Sequence, residues 1–222
     1  MLNEYIISCE KTMDKEVIAA LKKWPNVPAA YGWISLDGHG YWRFHPQGSA
    51  QARADCRGET IQNSQIQAFL SRNYTVDDDG QWYIQNGPQK VYVTLPYAPY
   101  ILTLGDQAQD LRLHTGQTVT AISAWYLDSE GGFYAQTEAG AAMISEQDLD
   151  TVIEHLWVLD KATASPLQAA EPFGEKHLNA CQQGQPLILS YDKKATLTGP
   201  FRCITTQERA SVLGFCAQPK HK

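Results

Sequence analysis

The sequence predicts an α+β protein in which a twisted antiparallel sheet of repeated β-hairpins is backed by two or three helices, with a small C-terminal β/α extension. The clearest hairpin spans residues 77–100, where apolar side chains alternate on both sides of a turn at Asn86. An Asp-x-x-Gly-x-aromatic motif also occurs three times, beginning at Asp37, Asp77 and Asp128. Segments with helical spacing alternate with these hairpins, and the mixed class follows from that order.

The Asp-x-x-Gly motif predicts one type of hairpin turn. The Asp carboxylate is expected to accept hydrogen bonds from the backbone amides two and three residues on, and the Gly to take a positive φ. An apolar or aromatic residue leads into each copy, and the aromatic residue begins the returning strand. The copies are too unequally spaced for a solenoid or a propeller, so they indicate a repeated local motif.

Four segments have helical spacing behind capping residues. The caps are Asp14, Asn63, Ser145 with Asp148, and Thr205 with Glu208. The third segment, which continues through Trp157, has the strongest apolar periodicity and predicts the strongest helix of the chain.

The sequence-based domain division has three parts. Residues 1–24 form an N-terminal extension and helix, residues 25–159 the main hairpin-repeat unit, and residues 160–222 a linker and a small C-terminal unit. The composition changes after residue 159, and the final segment has too small an apolar face to fold alone. We therefore expect it to pack on the main unit.

Composition excludes several function classes. The chain has 222 residues, of which 43% are hydrophobic and 19% charged, and its net charge of −6 argues against a nucleic-acid partner. No apolar run approaches the roughly 18 residues of a membrane span. Five cysteines without a Cys-x-x-Cys pair suit a reducing compartment, so the sequence predicts a cytoplasmic protein without a membrane partner.

Catalytic motifs are absent from the sequence. It contains no phosphate-binding loop, nucleophile elbow or zincin motif, so we predict no cofactor and no metal site, and favour a protein that is not an enzyme. Two groups of acid-base candidates leave a hydrolase open as an alternative. The first is Asp37 with His39 and His45, and the second is His177 with Cys181, four residues apart on a predicted helix.

Aromatic residues concentrate on the hairpins, and several occupy adjacent positions that point to opposite faces of a sheet. If one face is uncovered, its aromatic side chains form a small-molecule pocket, whereas helices covering that face would place them in the core. The candidate ligand-binding residues are Trp42, Trp82, Tyr83, Tyr92, Tyr97, Tyr100 and Trp125.

The leading functional hypothesis is a non-enzymatic small-molecule-binding or regulatory module that uses the aromatic sheet face. Besides a hydrolase, a second alternative is a structural protein that pairs with another chain through hairpin edges. The sequence leaves the oligomeric state open.

Several segments resemble an uncharacterised family of proteobacterial proteins known only as a domain of unknown function. They are WPNVPAAYGWISLDGHGYWRF, IQAFLSRNY, GQWYIQNGPQKVYVTLPYAPYI and LGFCAQP. Residues 32–116 are also similar to a second bacterial family of unknown function, through the order aromatic hairpin, helix, aromatic hairpin. That family has repeated strand-turn-strand motifs and a suggested role in ligand binding or signalling, but the long 46–59 loop departs from it. Neither resemblance implies catalytic residues.

Overall fold

The computed structural model describes residues 13–105, 110–159 and 169–221. Five helices and fifteen strands occur in these residues, which confirms the α+β class. The helices are α1 (Lys15–Lys23), α2 (Ser64–Arg72), α3 (Leu149–Glu154), α4 (Glu175–Gln182) and α5 (Arg209–Leu213), with a 3₁₀ turn at Ala195–Leu197. No described helix is long and apolar enough to cross a membrane.

The strands form two sheets. Sheet A has the order β3-β2-β1-β6-β5-β4 and consists of β1 (Ala30–Leu36), β2 (Trp42–Phe44), β3 (Glu59–Thr60), β4 (Tyr74–Val76), β5 (Trp82–Asn86) and β6 (Gln89–Thr94). Sheet B has the order β13-β12-β14-β15-β9-β10-β11-β7-β8. It consists of β7 (Tyr100–Leu104), β8 (Leu111–Leu113), β9 (Ile122–Asp128), β10 (Phe133–Thr137), β11 (Gly140–Ile144), β12 (Leu156–Val158), β13 (Glu171–Pro172), β14 (Leu187–Tyr191) and β15 (Thr198–Ile204).

Each sheet belongs to its own compact unit. The first unit contains the described residues up to Pro99 and those from Gly214 onward, and the second contains the described residues from Tyr100 to Leu213. This boundary differs from the sequence-based one at residue 159, because β14 and β15 pair within the same sheet as β9. Residues 1–12 of the predicted extension and most of the predicted linker, 160–168, lie outside the described residues.

The two sheets share a five-strand arrangement. In sheet A the order β2-β1-β6-β5-β4 contains one parallel pair, β1 with β6, among antiparallel neighbours. In sheet B the order β8-β7-β11-β10-β9 places its parallel pair, β7 with β11, at the same point. The turn at Asp77 joins β4 to β5, and the turn at Asp128 joins the corresponding strands β9 and β10. The chain therefore builds the same supersecondary unit twice.

The three Asp turns have one geometry, as the sequence predicts. At Asp128, Oδ1 accepts from the amides of Glu130 at 3.0 Å and Gly132 at 2.8 Å, and Gly131 has a φ of +89°. These amides lie two and four residues on, rather than two and three. The amide three residues on is already used, because Gly131 N donates to the Asp128 carbonyl at 3.1 Å. The turns at Asp37 and Asp77 repeat these bonds.

The helix caps divide into two kinds. Asn63 accepts from the amides of Gln65 and Ile66, and Thr205 with Glu208 forms the reciprocal box, which confirms both predictions. Asp14 and Asp148 occupy the cap positions of α1 and α3, but neither side chain accepts a capping bond.

The prediction that the third helical segment continues through Trp157 is wrong. Helix α3 ends at Glu154, and Leu156–Val158 forms strand β12 instead. Leu156 pairs with Tyr191 of β14 and is fully buried there, so pairing in the sheet determines the conformation of this segment. A short apolar run fits both helical and strand spacing, and tertiary contacts decide between them.

The segment after Gly214 completes the first unit. Ala217 O accepts from the Leu95 amide at 2.9 Å, and Cys216 N donates to Gly80 O at 2.9 Å. The Lys220 amide donates to Gln81 Oε1 at 2.9 Å. These bonds satisfy backbone groups around the β4–β5 turn and the end of β6.

The strands at the sheet edges are short. Sheet A ends in β3 and β4, with two and three residues, and sheet B ends in β13 and β8, with two and three residues. Short edge strands offer little backbone for pairing with another chain. Among the described residues, this feature weighs against the alternative of assembly through hairpin edges.

Candidate functional site

A cleft of about 530 Å³ lies between helix α2 and one face of sheet A in the first unit. Its lining is mostly aliphatic and aromatic. The lining residues are Ala30, Trp33, Ile34, Phe44, Ile66, Phe69, Leu70, Ile84, Asn86, Gln89 and Val91. None of these described residues carries a charge, so the cleft is an apolar site with two side-chain amides.

A bulge in β1 turns Trp33 toward this cleft. Ala30 pairs with Val91 and Ile34 with Val93, so four residues of β1 advance against two of β6. Gly32 within the bulge has a φ of +78°. Because the extra residues break the alternation of the strand, the adjacent side chains of Trp33 and Ile34 both line the cleft.

The Trp33 ring is partly exposed and lies close to Phe44 and Gly48. Its centroid is 6.1 Å from that of Phe44, with an interplanar angle of 27°. On the loop after β2, Gly48 lies beside the indole, and a Cβ there would be in van der Waals contact with Trp33 Cε2, at 3.4 Å. Trp33 is 40% exposed, Phe44 37% and Ile66 of α2 47%, which are high values for large apolar side chains.

Helix α2 is fixed at both ends. The Asn63 side chain caps its first turn, and Asp14 binds its last turn through Arg72, whose Nε lies 3.0 Å from Asp14 Oδ1. Asn73 Nδ2 donates to the same carboxylate at 3.1 Å. The hydrogen bonds from Arg72 and Asn73 hold the pKa of Asp14 below its usual value. The helical wall of the cleft is thus held by polar contacts outside the cleft.

The polar side chains of the cleft lie where β5 turns into β6. Asn86 is exposed at the end of β5 and pairs across the turn with Gln89. Gln89 Nε2 donates to the Pro28 carbonyl at 3.0 Å, which orients its amide. A bound molecule would therefore meet hydrogen-bonding groups on one side and apolar surface elsewhere.

The aromatic residues singled out from the sequence lie elsewhere. Trp42, Trp82, Tyr83, Tyr92, Tyr100 and Trp125 are all buried, and Tyr97 is half-buried. Trp42 contacts Tyr74 edge-on at 5.0 Å between ring centroids, and Tyr74 lies 4.9 Å from Trp82. These rings form part of the core of the first unit, while Tyr100 and Trp125 belong to the second.

The opposite face of sheet A carries a group of tyrosines. Tyr31 stacks on Tyr92 at 4.6 Å with an interplanar angle of 8°, and Tyr83 lies 5.6 Å from Tyr92. The Tyr92 hydroxyl donates to Asp77 Oδ2 at 2.9 Å, and Lys90 Nζ lies 4.4 Å from the Tyr83 ring centroid. Burial, then the contact with Asp77, raises the pKa of Tyr92, so this hydroxyl stays protonated.

The first group of acid-base candidates is separated by its bonding. Asp37 pairs with Arg43, whose Nε lies 2.6 Å from Asp37 Oδ2, and His39 is exposed in the turn. His45 is buried and its Nε2 lies 2.8 Å from the Ser35 hydroxyl. Burial lowers the pKa of His45, which favours a neutral ring in a packed position.

The second group also has separate partners. His177 Nδ1 accepts from the Gly174 amide at 3.1 Å, so its Nε2 donates to Glu171 Oε1 at 2.8 Å. Cys181 is buried one turn further along α4, with its Sγ 3.0 Å from that of Cys203. In the described parts of the chain, no three His, Cys, Asp or Glu side chains lie close enough together to hold a metal ion.

Trp33 and Phe44 of the cleft were not among the predicted site residues. Both stand on the first predicted hairpin, but their exposure depends on the bulge at Gly32 and on the position of α2. The glycine two residues after Ala30 is the local signal that could have indicated the bulge.

Comparisons with known proteins give one family match and two solved structures of low sequence identity. The family model DUF2944, described as "Protein of unknown function (DUF2946)", matches residues 13–220. No curated protein matches the chain. A DUF1285 family protein from Silicibacter pomeroyi DSS-3 has a similar solved structure, with 16% identity and a TM-score of 0.44 over 71% of this chain and 86% of that one. Another DUF1285 family protein, from Shewanella baltica OS155, has 13% identity and a TM-score of 0.37. The match covers 53% of this chain and 87% of that one.

Proposed function

The chain belongs to the DUF2944 family of proteins of unknown function, and we propose that it is a non-enzymatic cytoplasmic module that binds a small uncharged molecule in the cleft between α2 and sheet A. The observation that carries this proposal is the pair of partly exposed rings, Trp33 and Phe44, in an apolar cleft without charged lining residues. In this proposal, ligand binding in the cleft gives the first unit a regulatory role.

The size of the cleft suits a small organic molecule. Its volume of about 530 Å³ falls within the roughly 300–1,000 Å³ that is typical of ligand pockets. Such pockets are mainly apolar with a few placed polar groups, which here are the amides of Asn86 and Gln89. The cleft is large enough for a ring system but not for a folded partner.

The chemistry of the lining selects against charge. An ionised group placed against Ile34, Phe69 and Val91 would lose its hydration without gaining a counter-charge. A neutral molecule with a flat apolar part avoids that cost and can stack on Trp33, as aromatic pairs do at centroid separations of about 4.5–7 Å. We therefore expect an uncharged planar ligand with one hydrogen-bonding edge directed at Asn86 or Gln89.

The test uses Nile red, an uncharged planar dye whose emission rises in apolar surroundings. The wild-type protein should bind it saturably at one site. Ile66→Arg should weaken binding at least tenfold, because it places a charge at the mouth of the cleft from an exposed helix position. Gln65→Arg is the matched control: it adds the same side chain to the next exposed position of α2, outside the lining, and should leave binding unchanged.

A second pair of variants tests whether dye binding needs Trp33 specifically or any exposed tryptophan. Trp33→Ala should abolish dye binding, whereas Trp24→Ala should not, since Trp24 is 51% exposed but lies outside the lining. Equal effects of the two arginine variants, or of the two alanine variants, would show that the dye binds elsewhere. An anionic naphthalene sulfonate that competes as well as neutral anthracene would contradict the predicted selectivity against charge.

A further inference from the structure

Two cysteine thiols meet in the second unit. Cys181 lies on α4 and Cys203 on β15, with 3.0 Å between their sulfur atoms. Cys181 is buried and Cys203 is partly exposed. A disulfide bond has an S–S length of about 2.05 Å, so the two sulfurs need to approach by only about 1 Å.

The surroundings of the pair fix its geometry. Cys203 is in the part of β15 that pairs in parallel with β9, opposite Leu127. Cys181 Sγ also lies 4.0 Å from the carbonyl of Phe201, two residues before Cys203 on the same strand. Helix α4 and strand β15 thus hold the two thiols face to face from separate elements, and a bond between them would join helix to sheet.

We propose that Cys181 and Cys203 form a reversible intramolecular disulfide by exchange with a small-molecule disulfide such as oxidised glutathione. The other described cysteines, Cys56 and Cys216, belong to the first unit, so they are not alternative partners within the fold of the second unit. The pair is therefore a modification site distinct from the cleft, and its existence does not depend on ligand binding there.

The exchange proceeds in two balanced steps. The thiolate of the more exposed Cys203 attacks one sulfur of oxidised glutathione, forming a mixed disulfide and releasing one glutathione thiolate. The thiolate of Cys181 then attacks the Cys203 sulfur, forming the protein disulfide and releasing the second glutathione. The two protons lost by the cysteines are taken up by the two glutathione thiolates, so two protein thiols are oxidised and one glutathione disulfide is reduced.

Burial, followed by the contact with Cys181, raises the pKa of the Cys203 thiol. Few thiolates are present at neutral pH, and the first step should be slow there and accelerate as the pH rises. Reaction of the pair should thus be a response to sustained oxidation rather than a rapid catalytic cycle.

The experiment treats the full-length protein with oxidised glutathione at mildly alkaline pH, alkylates the remaining thiols and maps the peptides without reduction. The expected result is a peptide pair joined through Cys181 and Cys203, with the loss of two hydrogen atoms and full reversal by dithiothreitol. Cys203→Ser should abolish this product, whereas Cys56→Ser, the control in the other unit, should leave its yield unchanged. Circular dichroism of each variant confirms the fold.

Two outcomes would overturn the proposal. One is a stable glutathione adduct on Cys203 without ring closure in the folded wild-type protein. The other is a disulfide that maps to a different pair of cysteines. Both are read from the wild-type peptide map, so the result does not depend on whether a variant folds.

Discussion

Replacement of Asp128 by Ala should be the most destabilising change among the three Asp turns. The Asp128 carboxylate accepts four hydrogen bonds, two from the turn amides, one from the Tyr134 hydroxyl at 2.8 Å and one from Arg209 Nη1 at 3.1 Å. Its side chain is only 1% exposed, and that of Arg209 is 14% exposed. Asp37 makes the same turn bonds and also pairs with an arginine, but its side chain is 21% exposed.

The magnitude follows from the burial of the ion pair. Removing one partner of a buried pair costs about 3–5 kcal/mol, because the other charge loses its compensation. Each turn amide that loses its acceptor adds about 1 kcal/mol. With two turn amides, we therefore expect Asp128→Ala to lower the free energy of unfolding by about 5–7 kcal/mol. Asp37→Ala should lower it by about 1–2 kcal/mol, because solvent replaces much of the lost contact.

The assay is urea unfolding monitored by tryptophan fluorescence. Pulse proteolysis detects separate unfolding transitions of the two units. Asp128→Asn is the informative intermediate: it keeps an oxygen acceptor for the amides of Glu130 and Gly132 but lacks the charge facing Arg209. It should retain part of the stability lost in the alanine variant. Equal losses for Asp37→Ala and Asp128→Ala, or a loss below about 1 kcal/mol for the latter, would refute the argument from burial.

Two further predictions concern single positions of the second unit. Burial lowers the pKa of His114 to about 3; since the folded state then resists protonation, the stability due to neutral His114 is present above about pH 6.5 and is lost as the pH falls toward 3. Between about pH 6.5 and 5 this loss amounts to about 2 kcal/mol. In urea unfolding, the free energy of unfolding of His114→Gln should therefore fall less steeply with decreasing pH than that of the wild type. An equally steep fall in the variant would show that His114 is not the cause. A Cβ at Gly199 would lie 2.5 Å from Ser123 O across the β15–β9 pair. Gly199→Ala should therefore lower the thermal midpoint by several degrees, whereas Gly174→Ala, with no described atom within 4 Å of its added Cβ, should not; equal midpoints would show that the strands adjust.

Features that depend on near neighbours in the chain were predictable. The turn at Asp77 follows from one carboxylate and one glycine within a few residues, and its conformation needs no distant contact. The Asn63 cap and the box of Thr205 with Glu208 are equally local.

Features that depend on distant neighbours were not. Leu156 is in a strand because β14, which comes about thirty residues later, supplies its hydrogen-bonding partner. Asp148 is placed like a helix cap, yet its carboxylate accepts from the Leu104 amide at 3.1 Å instead. Local spacing does not contain either contact.

The candidate site shows the same limit. Aromatic density on the hairpins is a sequence property, but the division between core and surface depends on what covers each face. Helix α2 lies over the face that carries Ile34 and Ile84, and the bulge in β1 brings Trp33 into the same cleft, where its ring stays 40% exposed. The sequence therefore indicated a face rich in rings, without indicating which rings a ligand could reach.

The placement of residues 214–221 in the first unit has a consequence for synthesis on the ribosome. The strands of sheet A emerge early, but the Ala217 carbonyl that accepts from Leu95, and the Cys216 amide that donates to Gly80, are translated only after the whole second unit. The second unit has all its strands within one continuous stretch and can fold as soon as that stretch is released. The unit that is made first is thus finished last, and until then its apolar cleft belongs to an incomplete fold that chaperones could recognise.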